Sequence, residues 1–322
     1  MTHLLEGPFF DDLTIGDVFT APAYTLTQGR AAMHQSILGS RLQLSLDEHL
    51  AVAVTGRPLA DPGFVWDVAI GQSTLVTRRV VANLFYRGLA FHRLPSLGDT
   101  LHTRSEVVGL RQNTSRPTGL AALRITTRDQ EGRLVLDFWR CAMLPLSDPD
   151  VRTGHDDDLA SVGREPDLCS LISSLSGWEL DQWPVLEGPE VVPGAAWDLR
   201  AGDVVTSAPE LARMTLNLAH VHHDRFSQPA GRLVYGGHTI GLALGQVSKV
   251  LPQLITVAGW HGCDHTGPVR EGDTLVSRIE VRKVADVPGD LRIADLRVLV
   301  QARGNEDAPR DVLDWRPIVL LR

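Results

Sequence analysis

Two stretches, Phe64–Val76 and Gly237–Val250, carry apolar residues around the whole helical circumference with few charges. That pattern predicts two helices wrapped by other structure rather than lying on a surface. Behind each, the apolar positions alternate. Thr100–Leu110, Leu120–Arg128 and Arg133–Leu144 come after the first stretch; Thr274–Val284, Leu291–Ala302 and Asp311–Leu321 come after the second. Turn residues at Asn113–Gly119, Asp129–Gly132, Gly289-Asp290 and Gly304–Pro309 separate these segments and predict antiparallel meanders. Shorter helices come first in each part. Thr27 caps one that runs to Leu38 and stops at Gly39. Ser207-Ala-Pro-Glu210 has the spacing of a capping box, with Pro209 near the helix start. Gly71, Gly241 and Gly245 interrupt the long helices. Glycine costs about 1 kcal/mol at such positions, so they predict close approach of a sheet.

The rhythm repeats because the sequence does. Asp12-Leu-Thr-Ile-Gly-Asp-Val18 recurs 186 residues later as Asp198-Leu-Arg-Ala-Gly-Asp-Val204. Ile70-Gly-Gln-Ser73 and Gly98-Asp-Thr-Leu101 recur after 174 residues, at Leu244–Val247 and Gly272–Leu275. Val135-Leu-Asp-Phe-Trp-Arg140 recurs as Val312-Leu-Asp-Trp-Arg316. Four matches in the same order indicate a tandem duplication. The fold class is α+β: one long buried helix and then an antiparallel meander, twice. The expected division is 1–146, a linker over 147–187 rich in Asp, Ser, Gly and Pro with one short helix near Leu168–Ser174, and 188–322.

Composition narrows the partners. The 322 residues are 43% apolar and 22% charged, with a net charge of −8 and no block of Lys or Arg. A nucleic-acid partner is not expected. Three scattered cysteines suggest neither a disulfide framework nor a cysteine zinc site. The opening residues lack a charged segment leading into an apolar one, and no apolar run approaches a membrane span. A cytoplasmic protein is the expectation.

Chemistry concentrates in Asn217–Ile240. An amide, Asn217, precedes an imidazole, His222, by five residues. A loop with Pro and Gly comes next, and then Gly236-Gly237 open the second long helix. Imidazole exchanges protons near neutral pH. An amide both donates to and accepts from water. Amides at a helix start can hold a developing oxyanion. This order suits water chemistry on a thioester. His220-Val-His222-His223-Asp224 also approaches the H-x-H-x-D-H pattern of dinuclear zinc sites, but Arg225 holds the sixth place. No metal and no cofactor are expected.

A helix wrapped by an antiparallel sheet, with these motifs, resembles the hot-dog fold, here in tandem as a double hot dog. The segments Asn217–His222 and Arg232-Leu-Val-Tyr-Gly-Gly-His238 resemble the MaoC-type dehydratases, which include R-specific enoyl-CoA hydratases. His222, Asp224 and Gly236 match the family pattern. Asn217 stands where its aspartate is usual, and Ala219, His220 and Tyr235 also depart. Gly39-Ser-Arg41, Val108–Asn113, Ala219–His222 and Gly231–His238 are similar to a narrower group, the mesaconyl-CoA hydratases (β-methylmalyl-CoA dehydratases).

The resemblance implies a hydro-lyase acting on a short, branched enoyl-CoA, with mesaconyl-CoA to β-methylmalyl-CoA as the expected pair. Other (R)-3-hydroxyacyl-CoA dehydrations, a hot-dog thioesterase and a non-catalytic acyl-binding subunit remain alternatives; a homodimer is open. In this reading His222 is the base, Asn217 orients water, and Gly236 and Gly237 hold the thioester oxygen. Asp224 serves either as a proton relay or as the partner fixing the imidazole tautomer. Arg232, Tyr235 and Arg41 are candidates for contacting substrate or CoA. The first copy lacks the histidine at the critical place and is expected to shape the acyl pocket, with His34 and His92 structural or at the rim.

Overall fold

The structure, a computed structural model, describes residues 6–184, 186–227, 231–304 and 308–322. Part of the predicted turn Gly304–Pro309 and residues 228–230 of the loop after His222 lie outside these, as do residue 185 of the linker and the first five residues of the chain.

Twelve strands form one antiparallel sheet. In the first half they are β1 (Val18–Thr20), β2 (Tyr24–Thr25), β3 (Ala82–Phe91), β4 (Thr100–Gln112), β5 (Thr118–Arg128) and β6 (Leu134–Pro145). In the second they are β7 (Ala196–Asp198), β8 (Asp203–Val204), β9 (Leu254–His265), β10 (Thr274–Val287), β11 (Leu291–Arg303) and β12 (Arg310–Leu321). The spatial order is β1-β4-β5-β6-β3-β9-β12-β11-β10-β7, with β2 on β4 and β8 on β10. From the centre of the sheet outward the order is the same in both directions, as a duplicated unit requires. The halves join where β3 pairs with β9, Tyr86 opposite Cys263 and Leu89 opposite Trp260.

Among the described residues the sheet is accompanied by the α-helices α1 (Gln28–Leu38), α2 (Gln43–Leu46), α3 (Glu48–Thr55), α4 (Pro62–Ser73), α5 (Cys169–Ser174), α6 (Ala208–Met214) and α7 (Gly236–Val250). The two long buried helices are α4 and α7. Every residue of α4 is buried. It starts earlier than the apolar pattern indicates, because Asp61 accepts from Gly63 N–H and Pro62 fits the first turn. Trp66 of α4 packs on Trp260 of β9 and Trp315 of β12, with ring centroids 4.9 and 6.0 Å away. A helix of the first half thus shares its core with strands of the second.

Several local expectations hold and others need correction. Thr27 caps α1, and Gly39 ends it at φ 69°. The capping box at α6 does not form. Ser207 takes φ 57° and makes no side-chain cap, and Ala208 N–H goes to Glu271 instead. The helix glycines admit other segments rather than a sheet. A Cβ on Gly71 would stand 1.9 Å from the Thr215 carbonyl oxygen, and on Gly245 2.7 Å from that of Leu38. Strands β3 and β9, which join the halves, are absent from the alternating pattern; β9 and the inner part of β3 are buried on both faces and show no alternation.

Candidate active site

The end of α4 shapes the turn that carries Asn217. Helix α6 closes with Asn217 N–H donating to the Ala212 carbonyl at 2.9 Å. Leu216 before it takes φ 59°, a left-handed position that favours glycine. Such a residue costs on the order of 1 kcal/mol and persists where its surroundings fix it. Those surroundings are α4 and the residue directly after it. Gly71 lets the Thr215 carbonyl settle on the helix, and the Thr74 hydroxyl accepts from Leu218 N–H at 2.7 Å.

The chain then makes a short 3-10 turn, His220–His222. His222 Nδ1 donates to the Leu233 carbonyl at 2.9 Å. A carbonyl only accepts, so the proton sits on Nδ1 and Nε2 keeps its lone pair. Burial pushes the His222 pKa down to about 4, with the charges of His223 and Arg140 acting the same way. The imidazole is therefore neutral and proton-accepting at neutral pH.

Asn217 and His222 both line one cavity of about 330 Å³. Gly236, at the start of the 15-residue helix α7, lines it too. The first-turn amides of a helix have no partner within it, so the helix turns its positive dipole end, with Gly236 in the wall, toward this cavity. Asn217 is 2% exposed. Its Oδ1 accepts from Ala219 N–H, while Nδ2 is buried with no partner. Here the expectation of a two-way water contact narrows: only the donor end is free.

The other expected residues divide. The Tyr235 ring lines the cavity, 5.7 Å from the His222 ring, but its hydroxyl turns back to the Asp67 carbonyl at 3.1 Å. Gly237 sits behind the wall, where a Cβ would fall 2.0 Å from Asp67 Oδ1. Asp224 is exposed, and its carboxylate caps its own turn at Phe226 N–H. It makes no hydrogen bond to the His222 ring, whose Nδ1 is held by the Leu233 carbonyl instead. Arg232 pairs with Glu271 and is not in the wall. Arg41 lies at the far end of α7, its N–H on Ser248, roughly 18 Å along the helix from Gly236 at 1.5 Å per residue. His223 donates to the Asn217 carbonyl at 2.6 Å, so the neighbouring histidines point to different partners. His34 and His92 pair with Asp67 and Asp137, each at 2.9 Å.

Among the wall residues that escape a reading of the sequence are Asn83 and Tyr86 on β3, Arg140 on β6, His265 on β9 and, beyond β9, Arg270. His265 Nε2 is buried without a partner, and burial lowers its pKa to about 4. Tyr86 is pushed up to about 12 by burial and stays a neutral phenol. The first half therefore supplies one wall of the cavity, through β3 and β6.

No protein-family model matches the chain. It is 28% identical to the β-methylmalyl-CoA dehydratase of Chloroflexus aurantiacus, over 98% of this chain and 97% of that protein. It is 27% identical to the mesaconyl-CoA hydratase of Cereibacter sphaeroides, over 93% and 91%. Among solved structures, it is 50% identical to a conserved hypothetical protein from Mycobacterium tuberculosis with a double hot-dog fold, at a TM-score of 0.90 and 99% of both chains. A putative MaoC domain protein dehydratase from Chloroflexus aurantiacus is 26% identical, with a TM-score of 0.85 over 98% of this chain and 97% of that one.

Proposed function

We propose that this chain, a double hot-dog protein similar to the MaoC-like dehydratases, hydrates a short-chain enoyl-CoA reversibly, with mesaconyl-CoA and β-methylmalyl-CoA as the substrate pair. The observation that carries this reading is the pairing at the cavity. His222, with a lone pair on Nε2, and Asn217, with an unpartnered Nδ2 donor, line the same cavity, with Gly236 at the helix start beside them.

Water takes the place between His222 and Asn217. Asn217 donates to the water oxygen, and His222 Nε2 removes a proton as that oxygen bonds to Cβ of the enoyl group. The double-bond electrons move toward the thioester oxygen, which the Gly236 amide and the helix dipole stabilise. The imidazolium then returns its proton to Cα, and the imidazole is neutral again. An amide carries no exchangeable acid function at this pH, and Asp224 caps an exposed turn, so His222 makes both transfers.

The test is a panel of enoyl-CoA esters assayed by mass spectrometry and for free thiol. Hydration adds one water and bleaches the conjugated thioester without releasing thiol. Thiol release from the same esters would instead identify a thioesterase.

A further inference from the structure

Arg140 is 3% exposed and lines the cavity, yet no carboxylate pairs with it among the described residues. Its partners are neutral. Nε donates to Asn83 Oδ1 at 3.1 Å and Nη1 to the Ser73 hydroxyl at 2.8 Å, and the guanidinium lies 5.6 Å from the Tyr86 ring centroid. Nη2 makes no hydrogen bond there. A buried cation without an anion is costly, by several kcal/mol in general.

The duplication shows how this cation came to face inward. The motif Val135–Arg140 recurs at Val312–Arg316 one residue shorter. Strand side chains alternate, so one missing residue reverses the facing of every position beyond it. Phe138 and Ala142, which share a strand face with Arg140, belong to the main core under the helices. Trp139 faces the other way, beneath the Arg124 and Arg164 guanidiniums. In the second copy Trp315 is the core residue. Arg316 faces outward, where Asp264 neutralises it at 2.8 Å and Asp314 lies 3.6 Å away. Each copy holds an arginine here. The outward one has carboxylates, and the inward one has a cavity.

We infer that Arg140 receives the free carboxylate of a dicarboxylic acyl group, making it the residue that selects such acyl-CoA esters over uncharged ones. This rests on the reading of the cavity as the acyl site. Asn83 and Ser73 fix the guanidinium and leave Nη2 for the incoming carboxylate. Tyr86, whose ring lies 5.6 Å from the guanidinium, lines the same cavity and has a hydroxyl without a hydrogen bond among the described residues. Arginine suits the task because it stays charged when buried, and the N–H donors of Nη2 make charge-assisted hydrogen bonds to a carboxylate.

The test is equilibrium binding by calorimetry of two saturated esters that cannot be hydrated, succinyl-CoA and butyryl-CoA. The wild type is expected to bind succinyl-CoA at least about 10-fold more tightly. Arg140→Gln should abolish that preference, weakening succinyl-CoA by about 30-fold or more, and Arg140→Lys should keep part of it. Equal binding of the two esters by the wild type overturns the inference and needs no variant. So does an Arg140→Gln protein that keeps the preference. A wild type that prefers succinyl-CoA but hydrates no enoyl-CoA would refute the hydration reading and uphold the role of Arg140.

Discussion

The Tyr235 hydroxyl donates to the Asp67 carbonyl at 3.1 Å, joining the residue that precedes α7 to the middle of α4. Both groups are buried, and they come from different halves of the chain. The bond holds the start of α7, and with it Gly236, against the first half. Tyr235→Phe keeps the ring beside His222 and removes this tie. It should lower the unfolding free energy by about 1 kcal/mol in a urea titration. A turnover loss beyond about 100-fold with unaltered stability would instead place the hydroxyl on the substrate.

Gly71→Ala should reach the site from the core. Its Cβ would stand 1.9 Å from the Thr215 carbonyl oxygen, a backbone atom two residues before Asn217. Stability should fall by about 1–3 kcal/mol, as for an overpacked core. Turnover should fall at least about 10-fold as the Asn217 turn shifts. Gly177→Ala, whose Cβ meets nothing within 4 Å, is the control. Wild-type stability and turnover in Gly71→Ala would contradict the dependence of the turn on α4.

Much of the fold and site is legible in the sequence, and the limits have physical causes. The duplication, the two central helices and the outer strands emerge from periodicity and repeated motifs. The joining strands do not, because with most of their residues buried on both faces nothing alternates. His222, Asn217 and Gly236, named from their order along the chain, line one cavity, and only packing shows that the Asn217 side-chain carbonyl accepts from Ala219. Arg140 leaves one trace, a repeat that shortens by a residue between Val135 and Arg140, whose meaning depends on which face the helices cover. Asp224, Arg232 and Arg41 illustrate the converse. They are near the motif, or similar to a known pattern, and fold to other partners.

Acid should destabilise the protein through histidines that resist protonation in the folded state. His222, His238 and His265 are all held near 4 by burial, against an ordinary value near 6.5. Both His238 ring nitrogens lack partners. The unfolded chain therefore takes up protons first as pH falls. Stability from these groups is fully present above about pH 6.5 and is lost progressively toward pH 4. Urea unfolding across that window should show the decline, with a shallower slope in His238→Asn. A flat profile would contradict it.

In the proposed reaction His222, with Asn217, adds water to an enoyl thioester. The direct measurement is turnover of mesaconyl-CoA in water enriched in heavy oxygen, with the product analysed by mass spectrometry and free thiol measured alongside. The wild type should place heavy oxygen on Cβ with no free thiol. His222→Ala should lose about 100-fold or more of that rate, as for a missing general base. Asn217→Ala should also be severe, while Asn217→Asp, which restores the residue usual in the family, should retain part of it. Wild-type rates in both His222→Ala and Asn217→Ala, or free CoA in place of labelled product, would contradict the account.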